Sequence, residues 1–278
     1  MSNAGGLGLP RLMGVLNVTP DSFSDGGRYA EPGAALDQGR RLIAAGADIL
    51  DIGGESTRPG AAPVDEATER ARVIPVIEAL RAETGVILSI DTMKPAVACA
   101  AVAAGASVWN DVTALSFAPD SPDTAAALGC KVVLMHMRGS PATMLREAAY
   151  DDVVAEVCDF LAARAEAAMA AGVSRERILV DPGIGFGKDH GHNLALLAHL
   201  ERIAALGFPV VLGVSRKRFI RRLDPTAEEP RDRLGGSIAA ALAGARAGAA
   251  VVRTHDVRET RQALLVQAAI ENAGGATP

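Results

Sequence analysis

Short, nearly continuous apolar runs recur along the chain, and each is followed by polar residues and then by a stretch with helical spacing. Runs of this kind that are rich in Val, Ile and Leu are typical of strands buried on both faces, as in a parallel sheet. We therefore predict eight parallel strands, within residues 12–18, 47–53, 86–91, 107–112, 131–136, 178–183, 209–214 and 249–255.

Helical stretches separate these strands. They are predicted at residues 34–45, 65–84, 94–104, 151–171, 193–206, 231–247 and 257–272, with only a short helix expected between residues 113 and 130. Strands that alternate with helices in this way, in a chain of 278 residues, predict an α/β fold, a single-domain (β/α)8 TIM barrel. The rival fold, an open doubly wound sheet, usually has fewer strands, and the chain lacks a dinucleotide-binding fingerprint. The barrel is predicted to span residues 12–274, after a flexible lead-in at residues 1–11.

Polar residues stand at the carboxyl ends of all eight predicted strands. A single Asp in such a position often caps the following helix, but capping alone does not readily explain a polar ending on every strand. In a TIM barrel these ends meet at the face that carries the active site. The residues are Asn17, Asp51, Asp91, Asn110 with Asp111, His136, Asp181, Ser215 and His255.

Composition narrows the classes of function. Hydrophobic residues make up 49% of the chain and charged residues 22%, which allows a large core. The net charge of −5 argues against a nucleic-acid partner. No stretch is long and apolar enough to predict a membrane span, and the N-terminus does not resemble a signal peptide. Cys99, Cys130 and Cys158 have apolar surroundings and form no CxxC pair, which favours a reduced cytoplasmic protein with buried thiols.

Basic residues cluster in three loops that follow predicted strands. They are Arg58, the run Arg216-Lys217-Arg218, and Arg253 with His255. In a barrel these loops converge on one mouth, and arginine is well suited to bidentate phosphate contacts. The sequence therefore predicts a local anion site in an acidic protein.

Other motifs are less specific. The stretch DPGIGFGK (181–188) fits neither the Walker phosphate loop nor the GxGxxG pattern. Its glycines serve either close approach to a flat ligand or a tight turn. The histidines do not have the spacing of a structural zinc site, and there is no GxSxG elbow for a catalytic serine.

Eight segments resemble the motifs of one enzyme family, in that family's order. They are MGVLNVTPDSFSDGG (13–27), DIGGESTRPG (51–60), SIDT (89–92), NDV (110–112), MHMRGSP (135–141), DPGIGFGK (181–188), GVSRKRF (213–219) and RTHDV (253–257). They extend over nearly the whole chain, and the first two are highly specific. On these residues the chain resembles the dihydropteroate synthases.

That resemblance implies a (β/α)8 barrel, usually a homodimer, that acts on small-molecule substrates rather than on nucleic acid or a membrane. The implied reaction joins p-aminobenzoate to 6-hydroxymethyl-7,8-dihydropterin pyrophosphate and yields 7,8-dihydropteroate and pyrophosphate, a step of folate biosynthesis. Pyrophosphate would leave first, accompanied by Mg²⁺, and the amine would then attack.

The resemblance also implies residues that bind the pterin: Asp91, Asn110, Met135, Asp181, Phe186 and Lys217. The carboxylate of Asp181 would accept two parallel hydrogen bonds from ring N–H groups, and Lys217 would reach the ring's acceptor side. Because Pro182 cannot donate a backbone hydrogen bond, we expect Asp181 to have no capping role in its own turn. Met135 would pack on the ring, and a core methionine fits the sequence equally well.

The implied catalytic residues are Asp91, Lys217 and Asp51. A buried carboxylate at Asp91 would stabilise positive charge on the pterin as the bond to pyrophosphate breaks. Asp51 would either position its loop or assist removal of the amine proton, and the sequence leaves both roles open.

The remaining implied contacts belong to the other two ligands. For pyrophosphate they are Asn17, Thr57, Arg58, Arg253 and His255, with Asn17 also on Mg²⁺. For aminobenzoate they are Phe23, Thr57, Pro59, Phe186, Ser215 and Arg216, partly from loops expected to be mobile. Arg216 can meet the aminobenzoate carboxylate only if its side chain points inward. Otherwise the backbone after Ser215 would bind that carboxylate.

Two other functions compete with this one. A methyltransferase of the methyltetrahydrofolate and corrinoid type would share the pterin contacts but would not need STRPG or RTH, because no pyrophosphate leaves. A non-catalytic pterin-binding paralogue would have lost some of the pyrophosphate and pterin contacts. Asn17, Arg58, Lys217, Arg253 and His255 are all present.

Overall fold

The computed structural model describes residues 8–19, 32–56, 61–139, 144 and 147–275. Its strands are β1 Arg11–Asn17, β2 Ile49–Gly53, β3 Ile87–Asp91, β4 Val108–Asp111, β5 Lys131–Met135, β6 Ile178–Asp181, β7 Val210–Gly213 and β8 Ala249–Thr254. All are parallel and pair in sequence order, and β8 pairs with β1 to close a barrel. The predicted TIM barrel is confirmed.

The helices lie between the strands and largely match the prediction. They are α1 Pro32–Ala44, α2 Glu66–Glu83, α3 Pro95–Ala103, α4 Ser121–Leu128, α5 Val153–Ala170, α6 His190–Ala198, α7 Leu200–Ala204, α8 Arg218–Leu223, α9 Leu234–Arg246 and α10 Val257–Gly275. The predicted helix at 193–206 is divided at His199, whose φ of −123° and ψ of 31° are not helical. The short helix α8 was not predicted.

Aspartates fix the starts of three helices. Asp65 accepts a hydrogen bond from the backbone N–H of Thr68, and Asp152 and Asp189 act in the same way at α5 and α6. Such bonds satisfy backbone donors that the first turn of a helix leaves without partners. These three aspartates therefore set where α2, α5 and α6 begin.

Alternate residues of each strand face opposite sides of the barrel wall. One set forms a small apolar layer inside the barrel: Met13, Ile49, Val108, Val133, Leu179, Val211 and Val251, with Ile87 packed against it. The intervening residues, such as Leu50 and Ile52 of β2, belong to the main core, which also contains buried residues of the helices. Because side chains in a strand alternate with a period of two, positions two residues beyond the inner layer also face inward.

This alternation places charged groups at the amino end of the barrel as well. Arg11 and Lys131 stand two residues before Met13 and Val133, and both line a cavity of about 530 Å³. Burial, with the nearby charge of Arg11, lowers the pKa of Lys131. The polar residues that end the strands lie at the other end of the barrel.

Two further findings concern the expectations from composition. Within the described residues, none of the helices is both long and apolar enough to cross a membrane. The expectation of three buried thiols was wrong for Cys99, which is exposed on α3, whereas Cys130 is buried and Cys158 is partly buried. In α3 the buried positions are Pro95, Val97, Ala98 and Ala101, so Cys99 falls on the opposite face of the helix.

Candidate active site at the carboxyl ends of the strands

A ring of inward-facing residues lies above the apolar layer at the carboxyl end of the barrel. Its members end or nearly end their strands: Asn17, Gly53, Asp91, Asn110, Met135, Asp181, Gly213 and Arg253. Together with Val112, Gly183, Ile184, Phe186 and Lys217, six of them line a cavity of about 30 Å³. The sequence placed most of these residues at one mouth, and the structure brings them together.

Arg253 lies between two carboxylates in this site. Its Nε donates to Asp51 Oδ2 at 2.6 Å, and its Nη2 donates to Asp91 Oδ2 at 2.7 Å. Its Nη1 makes no hydrogen bond within the described part of the chain. The arginine is thus oriented by two acids and keeps one amino group for a ligand.

Asp51 is completely buried and organises its neighbours. Its Oδ1 accepts from Ser89 Oγ at 2.6 Å, and its Oδ2 accepts from Asn110 Nδ2 at 3.0 Å in addition to Arg253. A buried carboxylate needs such partners, because an unpaired buried charge is strongly unfavourable. The contacts hold the side chains of Asn110 and Arg253 in fixed orientations.

Burial changes the acidity of two groups at the cavity. It raises the pKa of Asp91 to about 7, with the nearby charge of Asp51 adding to the rise and Arg253 opposing it. It lowers the pKa of Lys217 to about 8, with repulsion from Arg253 in the same direction. Both groups therefore titrate near neutral pH.

Asp181 corrects one expectation from the sequence. The carboxylate was expected to be free of a role in its own turn, because Pro182 cannot donate. In the structure its Oδ1 accepts from the backbone N–H of Gly183 at 2.7 Å, one residue beyond the proline. The other oxygen, Oδ2, lies about 4.0 Å from where a Cβ on Gly213 would be. Burial raises the pKa of Asp181.

Lys217 and Phe186 form another part of the cavity wall. The ammonium of Lys217 lies 4.2 Å from the centroid of the Phe186 ring, a cation–π contact. Met135, at the end of β5, is 4% exposed and lines the same cavity. A flat ligand between these groups would meet charged and polar atoms at its edges.

The residues after β7 and β8 are coupled to each other. The ring Nδ1 of His255 and the Oγ of Ser215 are 3.0 Å apart. Arg216, at a left-handed φ of 60°, pairs with Asp256 through an Nη2–Oδ1 contact of 2.5 Å, and its backbone N–H donates to Ser237 Oγ. In this state both the side chain and the amide of Arg216 are already engaged.

Four predicted residues lie outside the described residues: Phe23, Thr57, Arg58 and Pro59. Asn17 is described, and a Cβ on Gly53 would lie 3.8 Å from its Oδ1 and 3.7 Å from Asp91 Oδ2. Asn17 and Asp91 therefore flank Gly53 at the start of the loop that carries Thr57 to Pro59.

Two of the polar strand ends have structural roles instead. Asp111 faces the outside of the barrel and accepts from the backbone N–H groups of Thr113 and Leu115 at 2.8 and 2.9 Å. His136 is buried, and its Nδ1 lies 2.8 Å from the Nζ of Lys188. Helix capping was the alternative explanation for such residues, but Asp111 instead accepts from the turn that follows β4, before α4 begins at Ser121.

Other residues of the site were not singled out from the sequence. Ser89 stands two residues before Asp91, and the period of two could have placed it beside Asp51. Lys94 forms salt bridges with both Glu55, in the loop after β2, and Glu69 of α2. That cluster joins residues up to 39 positions apart and has no sequence signal of its own.

Known proteins that are similar to this chain come from one family. The family profile described as pterin binding enzyme matches residues 13–255. The dihydropteroate synthase of Escherichia coli (strain K12) is 45% identical over 257 residues, which cover 92% of this chain and 90% of that protein.

Two solved structures are similar over almost the whole chain. The dihydropteroate synthase of Xanthomonas albilineans with 4-aminobenzoic acid has a TM-score of 0.89 and 52% identity, and the match covers 98% of this chain and 95% of that chain. The Xanthomonas albilineans enzyme in complex with 7,8-dihydropteroate has a TM-score of 0.86 and 49% identity, with 98% and 96% covered.

Proposed function

The chain belongs to the pterin-binding enzyme family, among the dihydropteroate synthases, and from that premise we propose how its barrel mouth performs the reaction. The enzyme is a transferase of folate biosynthesis. It joins p-aminobenzoate to 6-hydroxymethyl-7,8-dihydropterin pyrophosphate and releases pyrophosphate. The observation that carries the mechanism is one cavity lined by the carboxylates of Asp91 and Asp181 and the cations of Lys217 and Arg253.

Pterin recognition is assigned to the deeper part of the cavity. Asp181 uses Oδ1 on Gly183, so we assign Oδ2 to a ring N–H of the pterin. Asn110 and Lys217 take neighbouring polar atoms of the ring, and Met135 and Phe186 cover its faces. Gly213 supports this assignment, because a side chain there would approach Asp181 Oδ2 and fill the space the ring needs.

The leaving group is assigned to the outer part. Arg253 is held by two carboxylates and has Nη1 available for a phosphoryl oxygen. We assign Asn17, which ends β1, and His255, which follows β8, to the same anion. Thr57 and Arg58 are assigned to the same anion on the resemblance of their loop alone.

The reaction breaks the C–O bond between the pterin methylene and pyrophosphate and forms a C–N bond to the amine. The electron pair leaves with pyrophosphate, and positive charge spreads into the pterin. An ionised Asp91 beside the ring stabilises that charge without forming a bond. The amine then attacks the methylene carbon and loses a proton.

Asp51 is proposed to position other residues rather than to remove that proton. Both of its oxygens already accept hydrogen bonds, from Ser89, Asn110 and Arg253. Proton removal would require one of these contacts to break. We therefore assign it the orientation of Arg253 and Asn110.

We assign Phe186, Ser215, Phe23, Thr57 and Pro59 to the aminobenzoate on the family resemblance. Arg216 contributes only if it leaves Asp256, with which it pairs in the present structure. A carboxylate ligand of sufficient affinity would compete with Asp256 for the same guanidinium.

Mg²⁺ is proposed to bind together with the pyrophosphate. Among the described residues there is no cluster of three His, Cys, Asp or Glu side chains that could hold a metal. Mg²⁺ is commonly held by substrate phosphates, waters and one or two protein oxygens. The amide oxygen of Asn17 is the protein ligand we assign, and the ion would offset negative charge on the leaving group.

A homodimer through the last helices is also proposed, with the cytoplasm as the compartment. Val266 and Ile270, four residues apart on α10, are 55% and 64% exposed. Large apolar side chains on one helix face favour a protein contact. Sedimentation that gives only monomer at micromolar concentration would refute the dimer.

Steady-state release of pyrophosphate tests the function. Release should require both p-aminobenzoate and the pterin pyrophosphate, and dihydropteroate should form in equal amount. Release of pyrophosphate without aminobenzoate, at the same rate, would show hydrolysis instead of transfer.

A further inference from the structure

A second buried lysine lies behind the pterin cavity. Lys188 closes the glycine-rich stretch 181–188 and is only 4% exposed. Its Nζ lies 2.8 Å from His136 Nδ1, 3.0 Å from the carbonyl oxygen of Phe186, 3.1 Å from that of Gly183 and 3.2 Å from that of His136. It does not line the cavity.

Three of the four neighbours of this amine are carbonyl acceptors, and His136 Nδ1 is the fourth when the ring carries its proton on Nε2. Burial lowers the pKa of Lys188 to about 7, and the nearby charge of Asp181 favours its charged form. A charged lysine has three N–H donors and no acceptor, so the arrangement uses its full donor capacity. Burial lowers the pKa of His136 to about 3, and the neutral ring can then offer Nδ1 as an acceptor. The lysine joins carbonyls from two different loops, the one after β5 and the one after β6.

These loops are in direct backbone contact. Gly183 has a φ of 66°, and a Cβ on it would lie 1.9 Å from the carbonyl oxygen of His136. The carbonyl oxygens of His136 and Gly183 both face this contact, and buried carbonyl oxygens need a donor. Lys188 supplies that donor to both carbonyls.

The groups that Lys188 contacts are connected to two residues assigned to the pterin, Asp181 and Phe186. The N–H of Gly183 donates to Asp181 Oδ1, and the N–H of His136 donates to the backbone oxygen of Asp181. Lys188 also donates to the carbonyl oxygen of Phe186, whose ring contacts Lys217. A shift of Gly183 or Phe186 would therefore turn Asp181 or move one wall of the cavity.

We propose that Lys188 is a positioning residue for pterin recognition: by drawing the carbonyls of His136, Gly183 and Phe186 to one point, it sets the direction of the Asp181 carboxylate and the place of the Phe186 ring. This proposal rests on the pterin assignment made under the proposed function. Lys188 acts on the pterin only through these neighbours.

Other side chains hold the outer side of the same loop. Asn193 Oδ1 accepts from the N–H of Gly185 at 2.6 Å, and Tyr150 donates to the carbonyl of Gly187 at 2.7 Å. Loss of Lys188 should therefore loosen the inner part of the loop while these anchors keep the chain folded.

The test replaces Lys188 with methionine, which has a similar length and no charge. A 1 Å displacement in a binding site can reduce activity by up to about a hundredfold, so we expect Lys188→Met to raise both the Kd for the dihydropterin and the KM for its pyrophosphate by about tenfold or more. The KM for p-aminobenzoate should rise much less, because Phe186 is assigned to both ligands but Asp181 to the pterin alone. Amide hydrogen exchange should become faster at Gly183, whose N–H donates to Asp181, and stay unchanged at Gly185, whose N–H is held by Asn193.

Arg164→Met is the matched control. Arg164 also donates to two backbone carbonyls of a loop, those of Ala114 and Leu115 at 2.8 and 2.9 Å, but these residues do not line the cavity. The variant should melt at a lower temperature while both KM values stay unchanged. If it raises the pterin KM as much as Lys188→Met, the effect is general loosening and the proposal fails.

Lys188→Gln keeps a donor and is the second variant if the methionine variant is not obtained folded. We expect it to raise the Kd for the dihydropterin and the KM for its pyrophosphate by less than the methionine variant does. A folded variant of either kind that binds the pterin as the wild type does would overturn the proposal. If instead the wild-type chain itself binds no dihydropterin, the proposed function fails and the role of Lys188 falls with it.

Discussion

Substitution of Asp181 by asparagine is the most direct test of the pterin site. The amide keeps the shape of the side chain, and its oxygen can still accept from the N–H of Gly183, as Oδ1 does at 2.7 Å. The NH₂ group then replaces Oδ2, the oxygen assigned to a ring N–H. Two donors would face each other in a site where Asp181 is only 6% exposed.

The expected loss of affinity follows from these contacts. A hydrogen bond to a charged group contributes about 1.5–3 kcal/mol, and a buried donor without a partner costs about 1–3 kcal/mol. We expect a loss of about 2–4 kcal/mol, because the ring can shift and recover part of the difference. At about 1.4 kcal/mol per factor of ten, the Kd for a dihydropterin should rise roughly 30- to 700-fold.

Stability without ligand should hold or increase in this variant. Burial raises the pKa of Asp181, so above the pKa of the unfolded chain its ionised form opposes folding. An amide removes that penalty and keeps the bond to Gly183. Calorimetric titration with 6-hydroxymethyl-7,8-dihydropterin measures the affinity, and a thermal melt measures the stability.

Asp111→Asn is the control for this experiment. Asp111 is also buried at the end of a strand, but both of its oxygens accept from the loop that follows, and it faces away from the cavity. The change should destabilise the protein by about 1–3 kcal/mol and leave pterin affinity unchanged. If Asp181→Asn binds the dihydropterin like the wild type, the pterin assignment is wrong.

The remaining predictions concern the anion, the pH profile and the backbone. Arg253→Ala should raise the KM for the pterin pyrophosphate by an amount equivalent to about 2–3 kcal/mol while free pterin binds nearly as before, and equal losses for both ligands would contradict its phosphate role. The kcat/KM for the pterin pyrophosphate should rise with pH through about 7, as Asp91 ionises, and fall through about 8, as Lys217 loses its proton. A flat profile across neutral pH, or an acid limb that persists in Asp91→Asn, would contradict this assignment. Gly183→Ala should destabilise the fold by roughly 2–5 kcal/mol in urea titration, because its φ is positive and its Cβ would overlap a carbonyl oxygen, whereas Gly33→Ala, with no atom within 4 Å of the new Cβ, should be close to neutral.

Much of the fold follows from the sequence because each strand is a separate apolar run that ends in a polar residue. The breaks in the helices were harder to predict. The stretch 193–206 has apolar residues on both sides of His199 and no Pro or Gly to mark the break. The helix α8 has only six residues, which is too short for helical periodicity to stand out.

The site was predictable in its members but less so in its pairings. Motifs and the barrel prediction placed Asp51, Asp91 and Arg253 at one mouth. Which carboxylates hold the arginine depends on contacts between residues 162 and 202 positions apart, and hence on strand register. The expectation for Asp181 was wrong for a local reason: Pro182 has no N–H to donate, but Gly183, the next residue, does.

The division of each strand into two faces has a consequence for its tolerance of mutation. On β2, Leu50 and Ile52 face the helices, whereas Asp51 lies among the inward-facing groups of the site. In a library of all single substitutions, changes at residues that face the helices would lower cellular abundance. Changes at residues of either face would lower growth without supplied folate. Toward the carboxyl end of each strand, residues that affect both abundance and growth would therefore alternate with residues that affect growth alone. Variants that keep the protein abundant but inactive would therefore mark the inner wall directly, without any structure determination.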